Sequence, residues 1–440
     1  MAQHQDKRGQ KNIIFSGEDI REPLFGGILT VLLFALVYSP YLLSVTMFGI
    51  IALIFLEPGP KFRVGFGGLI NAWHAIQRRP ALLASATFFL VVLAGGLYSS
   101  EVGYWLERLR IKVPLLALPF ALAVLPPLTR RQLGFLLSVW VLLLGVTSVG
   151  VGINYAMNFS HIQQLIKQGQ SVPVPANHVR YSLMMATGVF AAIWLFKNRF
   201  ILRWSIEPYI TASIGGFLFL FMHLLAVRSG LVVFYLSLAV MAIRLAWLRR
   251  NWWLAFMPIV MMTVVPLVMY LTLPSFQAKV GYVLWDWKMY ISGQGAGYSD
   301  SGRMLSLHAG WNIWMEHVWF GVGSGDLKEA VRLEYLRQFG ETVKPIMPHN
   351  QWLSIAAGSG LTGLAITLIG FFTPLIYKRQ YRNSLLLAIH LVFFLSFLVE
   401  NTLENAEGVG LYTAFLCILL SYTSNLTPGE LELENSGLAP

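Results

Sequence analysis

Four basic side chains stand at the ends of apolar stretches, where few other charges occur. They are Arg180 in ANHVRYSLMMA, Arg228 in LLAVRSG, Arg303 in SGRMLSLHAG and His349 in MPHNQWLSIAAG. A planar guanidinium suits a phosphate, which it can hold with two parallel hydrogen bonds, and a positioned histidine can act as a general base. These residue types predict chemistry on a phosphate-bearing substrate.

His349 is the best candidate for the base because its position along the chain is constrained. Pro345 and Pro348 deny the chain regular helix up to that point, so His349 falls at the entry of a helix that begins near Asn350. The other histidines fall in cytosolic segments, within apolar runs or in a smaller outer loop. Two more lie on the expected loop helix, where His308 would point to a different face from Arg303 and His317 would lie far from Arg303 along the helix axis.

The three arginines have a simpler alternative role, since a single arginine at a helix end is more often a snorkelling anchor. Arg228 is the strongest candidate: it ends an apolar run and is followed by Ser-Gly. Arg303 is expected to open a helix in the following loop. Neither Arg228 nor Arg303 is expected to have a carboxylate partner nearby, and Arg180 is the least certain of the three.

The composition is that of a polytopic membrane protein. Of 440 residues, 56% are apolar and only 12% are charged. The net charge of +11 comes from short basic clusters between apolar runs, which indicates membrane topology rather than a nucleic-acid partner. The only cysteine, Cys417, lies in the last apolar run. An internal disulfide is therefore excluded, and a cysteine-based metal site is not expected.

We predict an all-α protein with about 12 transmembrane helices, because runs long enough to cross about 30 Å of hydrocarbon recur along the chain. The first two runs are separated only by Ser39-Pro40. Basic residues then place both termini in the cytosol. The predicted segments are a cytosolic N-terminal segment (1–23), helices 1 to 9 (24–273), a large outer loop (274–350), helices 10 to 12 (351–424) and a cytosolic tail (425–440).

The outer loop is predicted to contain structure of its own. Leu307, Trp311, Trp314 and Val318 recur at helical spacing, so we expect an amphipathic helix lying against the bilayer and ended by the glycines of FGVGSG. The outer loops show no paired-carboxylate or His-x-x-x-His pattern, so no metal site is predicted. The sequence also lacks a phosphate-binding glycine loop, and no nucleotide cofactor is expected.

Two stretches, SGRMLSLHAGWNIWMEHVWFGVGSGDL and MPHNQWLSIAAGSGLTGL, resemble the signature region of the bacterial O-antigen ligase superfamily. That superfamily also contains O-antigen polymerases and O-linked oligosaccharyltransferases. The match covers the arginine, the glycine turn and the His-Asn that heads the next span. One departure is Trp319, where a proline is common.

The resemblance implies a metal-independent, inverting glycosyltransferase of the bacterial inner membrane, with its active site facing the periplasm. The donor would be O-antigen on undecaprenyl diphosphate and the acceptor lipid A–core. His349 maps to the proposed base, Arg228 and Arg303 to diphosphate-binding arginines, and Arg180 to a less certain third. No cofactor is implied.

The alternatives differ in chain architecture and in chemistry. Polymerases tend to have two large external loops and oligosaccharyltransferases a longer C-terminal region, whereas this chain has one dominant loop and a short tail, which favours a ligase. A secondary transporter of a lipid or anionic solute is the alternative from another class, but mid-membrane charges that could couple ions are nearly absent from the predicted spans.

Overall fold

The computed structural model describes residues 18–198, 204–292, 299–424 and 426. These residues are almost entirely helical, and their only extended pairing is a single bridge between Leu56 and Val64. The helices are α1 (Arg21–Tyr38), α2 (Pro40–Ala52), α3 (Gly67–Gln77), α4 (Pro80–Leu83), α5 (Thr87–Gly95), α6 (Val102–Val124), α7 (Arg130–Met157), α8 (Phe159–Lys167), α9 (His178–Asn198), α10 (Glu207–Leu225), α11 (Arg228–Arg249), α12 (Trp253–Thr272), α13 (Pro274–Ile291), α14 (Ser299–Glu316), α15 (Leu327–Phe339), α16 (Gln351–Ile376), α17 (Ser384–Val399) and α18 (Ala406–Thr423).

The predicted all-α class and multi-pass character are confirmed. In the described part of the chain, 9 helices are long and apolar enough to cross a membrane, and Pro40–Phe55 and Ser384–Val399 are shorter apolar helices. The predicted N-terminal segment and C-terminal tail lie mostly outside the described residues, as do residues 293–298 of the predicted outer loop. The count of twelve spans stays a prediction.

Helix α6 is longer than its apolar run, which begins only at Val113. It begins at Val102, so that its first half carries Glu107, Arg108, Arg110 and Lys112. The uninterrupted apolar run begins only after these charges, so hydropathy alone does not reveal the first half of the helix. The boundary at Ser39-Pro40 agrees with the prediction, because Ser39 accepts the backbone N–H of Leu42 at 3.2 Å and Pro40 is the first residue of α2.

Helices α9 and α18 form the centre of the bundle, and 89% of the most apolar window of each is buried. By contrast, only 6% of the corresponding window of α12 is buried. An apolar helix covered on all sides belongs inside a bundle, whereas one that is exposed on most of its surface faces lipid. The bundle therefore has a helical interior, with α12 at its edge.

Helix α16 is broken at Gly360, and the turn after α14 fills the break. Gly360 has φ 66° and ψ −170°. The N–H groups of Val322 and Gly323 donate to the carbonyls of Ala357 and Gly358, both at 3.0 Å, and the N–H of Leu361 donates to Val318 at 2.8 Å. Backbone groups freed by a broken helix must find partners when no water is available. The turn that follows α14, residues 318–323, supplies these backbone partners.

We predict that Gly360→Ala destabilises the protein. A Cβ at this position would collide with the backbone of Trp319, and backbone of this kind is essentially restricted to glycine, at a cost of about 1–3 kcal/mol for other residues. The midpoint of thermal unfolding in detergent should fall. Gly216→Ala is the control, since that exposed helical position has open space around it. Equal midpoints for both variants would contradict this account of the break.

Candidate functional site

Helix α14 organises the site, and its N-terminus is fixed by a buried carboxylate. Asp286 of α13 accepts the backbone N–H of Asp300 at 2.6 Å and the hydroxyl of Ser301 at 2.9 Å. A carboxylate at this end of a helix is stabilised by the free N–H groups and by the helix dipole. The helix begins at Ser299, so Arg303 lies in its second turn. The prediction that Arg303 opens the helix was wrong by one turn.

Arg228 also has a different place from the predicted one. Helix α10 ends at Leu225, Ala226 adopts the left-handed conformation with φ 48°, and Arg228 is the first residue of α11. It therefore begins a helix rather than ending the one before it. This position combines a guanidinium with the positive end of a helix dipole, and both favour an anion.

A cavity of about 170 Å³, which we name the arginine pocket, brings Arg228 and Arg303 together. The first residues of α9 and α11 both border it. Its lining also includes two further basic side chains, His178 and Lys279. Residues from four separate helices thus place their basic groups around one small cavity, which can hold an anion of about the size of a diphosphate group.

Each arginine of the pocket has a carboxylate partner, contrary to expectation. Arg228 forms an ion pair with Asp300, and Nη2 of Arg303 lies 2.5 Å from Oε1 of Glu400. Asp300 belongs to α14 and Glu400 to the segment after α17. Each carboxylate is 72 or more residues away from its arginine in the sequence. Each of these two hydrogen bonds uses one guanidinium nitrogen, so further N–H groups on both arginines can donate to a phosphate.

His349 lies just before α16, as the proline pattern predicted. The side chain of Asn350 accepts the backbone N–H of Leu353 at 2.9 Å and caps the helix. The backbone N–H of His349 donates to the hydroxyl oxygen of Ser306 at 3.2 Å, and Nδ1 of its ring lies 3.5 Å from the same oxygen. Ser306 therefore fixes both the backbone and the ring of His349.

Ser306 also connects the histidine to the arginine pocket. It lies one helical turn after Arg303 on α14, and its hydroxyl donates to the Arg303 carbonyl at 2.7 Å. Burial lowers the pKa of His349; Glu400 partly opposes this effect, and Arg303 lowers the pKa further. The imidazole is therefore neutral at neutral pH, which is the state that a general base requires.

Lys279 of α13 is a member of the site that the sequence did not reveal. Its ammonium group donates to the carbonyls of Gly169 and Gln170, each at 3.1 Å, and is nearly buried. Burial, followed by the charge of Arg228, lowers its pKa to about 8. The stretch VGYVLWDWKMY gives no sign of this role, because the carbonyls that hold the lysine belong to a loop more than a hundred residues away.

Comparison with known families matches residues 214–368 to the O-antigen ligase family. The match covers less than half of the chain and supports its resemblance to the O-antigen ligase superfamily. The matched segment runs from α10 into α16 and includes Arg228, Arg303 and His349. A search of curated proteins found no significant match. The superfamily recognised in the sequence is confirmed, and its members are membrane glycosyltransferase-like enzymes of bacteria.

Arg180 precedes the segment 214–368 that matches the O-antigen ligase family, and it does not line the arginine pocket. Its side chain is almost completely buried, and Nη2 donates to the carbonyl of Asn401 at 3.2 Å. Its Nε has no hydrogen-bond partner among the described residues. Arg180 therefore supports the segment that follows Glu400, and its own charge contributes to the lowered pKa of His349.

The carboxylates around the arginine pocket are dispersed. Within the ranges that the structure describes, no three His, Cys, Asp or Glu side chains are grouped so as to hold a metal ion. Asp286, Asp300 and Glu400 instead have separate partners, namely a helix N-terminus and two arginines. Positive charge at the site is supplied by side chains.

We predict that Glu400→Gln shifts the acidic limb of the pH profile of glycosyl transfer to lower pH. The lowered pKa of His349 already places this limb below about 6.5 in the wild type. Glu400 raises the pKa of His349, so its removal makes the imidazole harder to protonate. The measurement is kcat/KM against pH, with the exposed Glu341→Gln as control. An unchanged limb, or one displaced to higher pH, would show that Glu400 does not act on the base.

Proposed function

We propose that this protein is an O-antigen ligase that transfers O-antigen polysaccharide from undecaprenyl diphosphate to lipid A–core. The observation that carries the proposal is the arrangement on α14. Asp300 pairs with Arg228, Arg303 lines the same pocket, and Ser306 contacts His349. One helix therefore positions two phosphate-binding groups and one base, the combination that this transfer needs.

The arginine pocket would bind the diphosphate of the donor. As the bond between the anomeric carbon and the diphosphate oxygen breaks, its electron pair passes to the leaving diphosphate. Arg228 and Arg303 stabilise that charge with hydrogen bonds that strengthen as the charge develops. Lys279 adds a third positive group when it is protonated. A divalent cation is not required in this scheme, because the guanidinium groups supply the positive charge.

His349 would act on the acceptor. Its neutral imidazole takes the proton from a sugar hydroxyl of lipid A–core, and the oxygen attacks the anomeric carbon from the face opposite the diphosphate. One glycosidic bond forms, one bond to the diphosphate breaks, and the configuration at the anomeric carbon inverts. Ser306 keeps the ring oriented during this step.

The proposed topology has twelve spans, with α6 counted among them and both termini in the cytosol. The large loop 274–350, the smaller outer loop and the site then face the periplasm. Donor and acceptor are both lipids of the same leaflet, which accounts for a site at the membrane boundary. One dominant outer loop favours a ligase over a polymerase.

The test is reconstitution of the purified protein with undecaprenyl-diphosphate glycan and lipid A–core, in excess EDTA and without ATP or an ion gradient. We expect glycan to move onto lipid A–core, because the donor bond supplies the driving force and arginines replace a metal. The conjugate is detected by a shift in gel mobility and by mass. Loss of activity in EDTA would contradict the arginine mechanism, and glycan lengthening on the carrier would identify a polymerase.

Variants in the same assay separate the roles. His349→Ala should lower turnover by about 10²–10⁴-fold while leaving donor binding intact. Arg228→Lys and Arg303→Lys should retain only part of the activity, since an ammonium keeps the charge but loses the two-pronged geometry. If no glycosidic bond forms but a labelled lipid or anion crosses proteoliposome membranes, the protein is a transporter and these roles are withdrawn.

A further inference from the structure

A second, larger cavity lies beside the site and has no part in the mechanism above. This outer cleft has a volume of about 780 Å³. It is formed by the first half of α6, by α15, and by the segments before α16 and α18. It shares no lining residue with the arginine pocket. Its lining is Glu101, Tyr104, Glu107, Arg108, Gly325, Lys328, Glu329, Val331, Arg332, Lys344, Pro345, Met347, Asn401, Glu404 and Asn405.

The two chain segments that border the outer cleft also border His349. Lys344, Pro345 and Met347 line the cleft, and the chain reaches His349 two residues after Met347. On the other side, Asn401 lines the cleft directly after Glu400, whose charge acts on the pKa of His349. A molecule in the cleft would therefore contact the two chain segments that lead to His349 and Glu400, without entering the arginine pocket.

The lining of the cleft suits a charged saccharide. The ring of Tyr104 has the guanidinium of Arg108 at 4.8 Å and the ammonium of Lys328 at 5.6 Å from its centroid. Two amide side chains, Asn401 and Asn405, supply donors and acceptors for hydroxyl groups. Concave sites with an aromatic group and a few convergent polar groups are typical of ligand binding.

Most charges of the cleft are already neutralised within the protein. Glu404 pairs with Lys112 at 3.0 Å and with Arg108 at 3.2 Å, and Glu329 pairs with Arg332. Lys328 and Lys344 are exposed and have no ion pair among the residues that the structure describes. Among the carboxylates that line the cleft, Glu101 alone has no such pair within the described ranges. With Glu101 counted against Lys328 and Lys344, these unpaired groups leave one net positive charge at the cleft.

We propose that the outer cleft binds the saccharide of the acceptor, with Lys328 and Lys344 holding its anionic substituents. The proposal rests on the proposed function, since it assigns the cleft to the molecule whose hydroxyl His349 deprotonates. The donor glycan is the competing occupant. The acceptor is favoured because the diphosphate of the donor is assigned to the arginine pocket, whereas the two exposed lysines of the cleft are available to a second anionic group.

The experiment measures binding of a deacylated, phosphorylated core saccharide to the purified full-length protein by calorimetry. Lys328→Gln with Lys344→Gln should weaken binding by about tenfold or more, as expected for the loss of charge-assisted hydrogen bonds. Lys328→Arg with Lys344→Arg should bind within about threefold of wild type, because the charge remains. Raised salt should weaken wild-type binding, since exposed charges are screened.

The matched control is Lys167→Gln with Lys288→Gln, which removes two exposed positive charges from α8 and α13, away from the cleft. It should leave binding unchanged. Equal binding by wild type and the Lys328/Lys344 glutamine variant would overturn the proposal. So would preferential, lysine-dependent binding of the saccharide released from the donor.

Failure of this proposal can be distinguished from failure of the proposed function. If the glutamine variant binds and transfers like wild type, the cleft assignment is wrong and the ligase reaction stands. If core saccharide binds in a lysine-dependent manner but reconstituted protein forms no glycosidic bond, the binding site is supported and the ligase reaction is not.

Discussion

The packing of α14 against the start of α16 is the constraint on which the site depends. Gly310 allows the two segments to approach closely, because a Cβ there would lie 2.7 Å from the ring of Pro348. At one end, Asp286 fixes the start of α14; at the other, the FGVGSG turn fills the break in α16 at Gly360. With both ends held, Arg303 and His349 keep a fixed relation although 46 residues separate them in the sequence.

The second constraint is charge at low dielectric. A half-buried guanidinium needs a partner of opposite charge. The partner of Arg228 is Asp300, and the partner of Arg303 is Glu400. A bound diphosphate would compete with these carboxylates for the same N–H groups or use the remaining ones. In the proposed reaction the carboxylates would keep the arginines oriented before the diphosphate binds. Glu400 also raises the pKa of His349.

The sequence predicted the parts of the site that local rules determine. Prolines placed His349 at a helix entry, and the apolar surroundings of Arg228 singled it out. The sequence did not predict the partners, because Asp300, Glu400 and Lys279 acquire their roles through contacts with distant segments. Arg228 and Arg303 were each misplaced relative to their helix ends, since a turn such as Leu225–Arg228 depends on one left-handed residue, Ala226, that apolar periodicity does not reveal. The helical class followed from composition, whereas the charged first half of α6 concealed one helix.

The most direct measurement is a structure of the protein bound to undecaprenyl diphosphate. Phosphate oxygens should lie within about 3.2 Å of guanidinium nitrogens of both Arg228 and Arg303, which is hydrogen-bond distance. The diphosphate should then take N–H groups of both arginines in the pocket bordered by α9 and α11. A diphosphate bound elsewhere, with both arginine–carboxylate pairs unchanged and the pocket empty, would contradict the account.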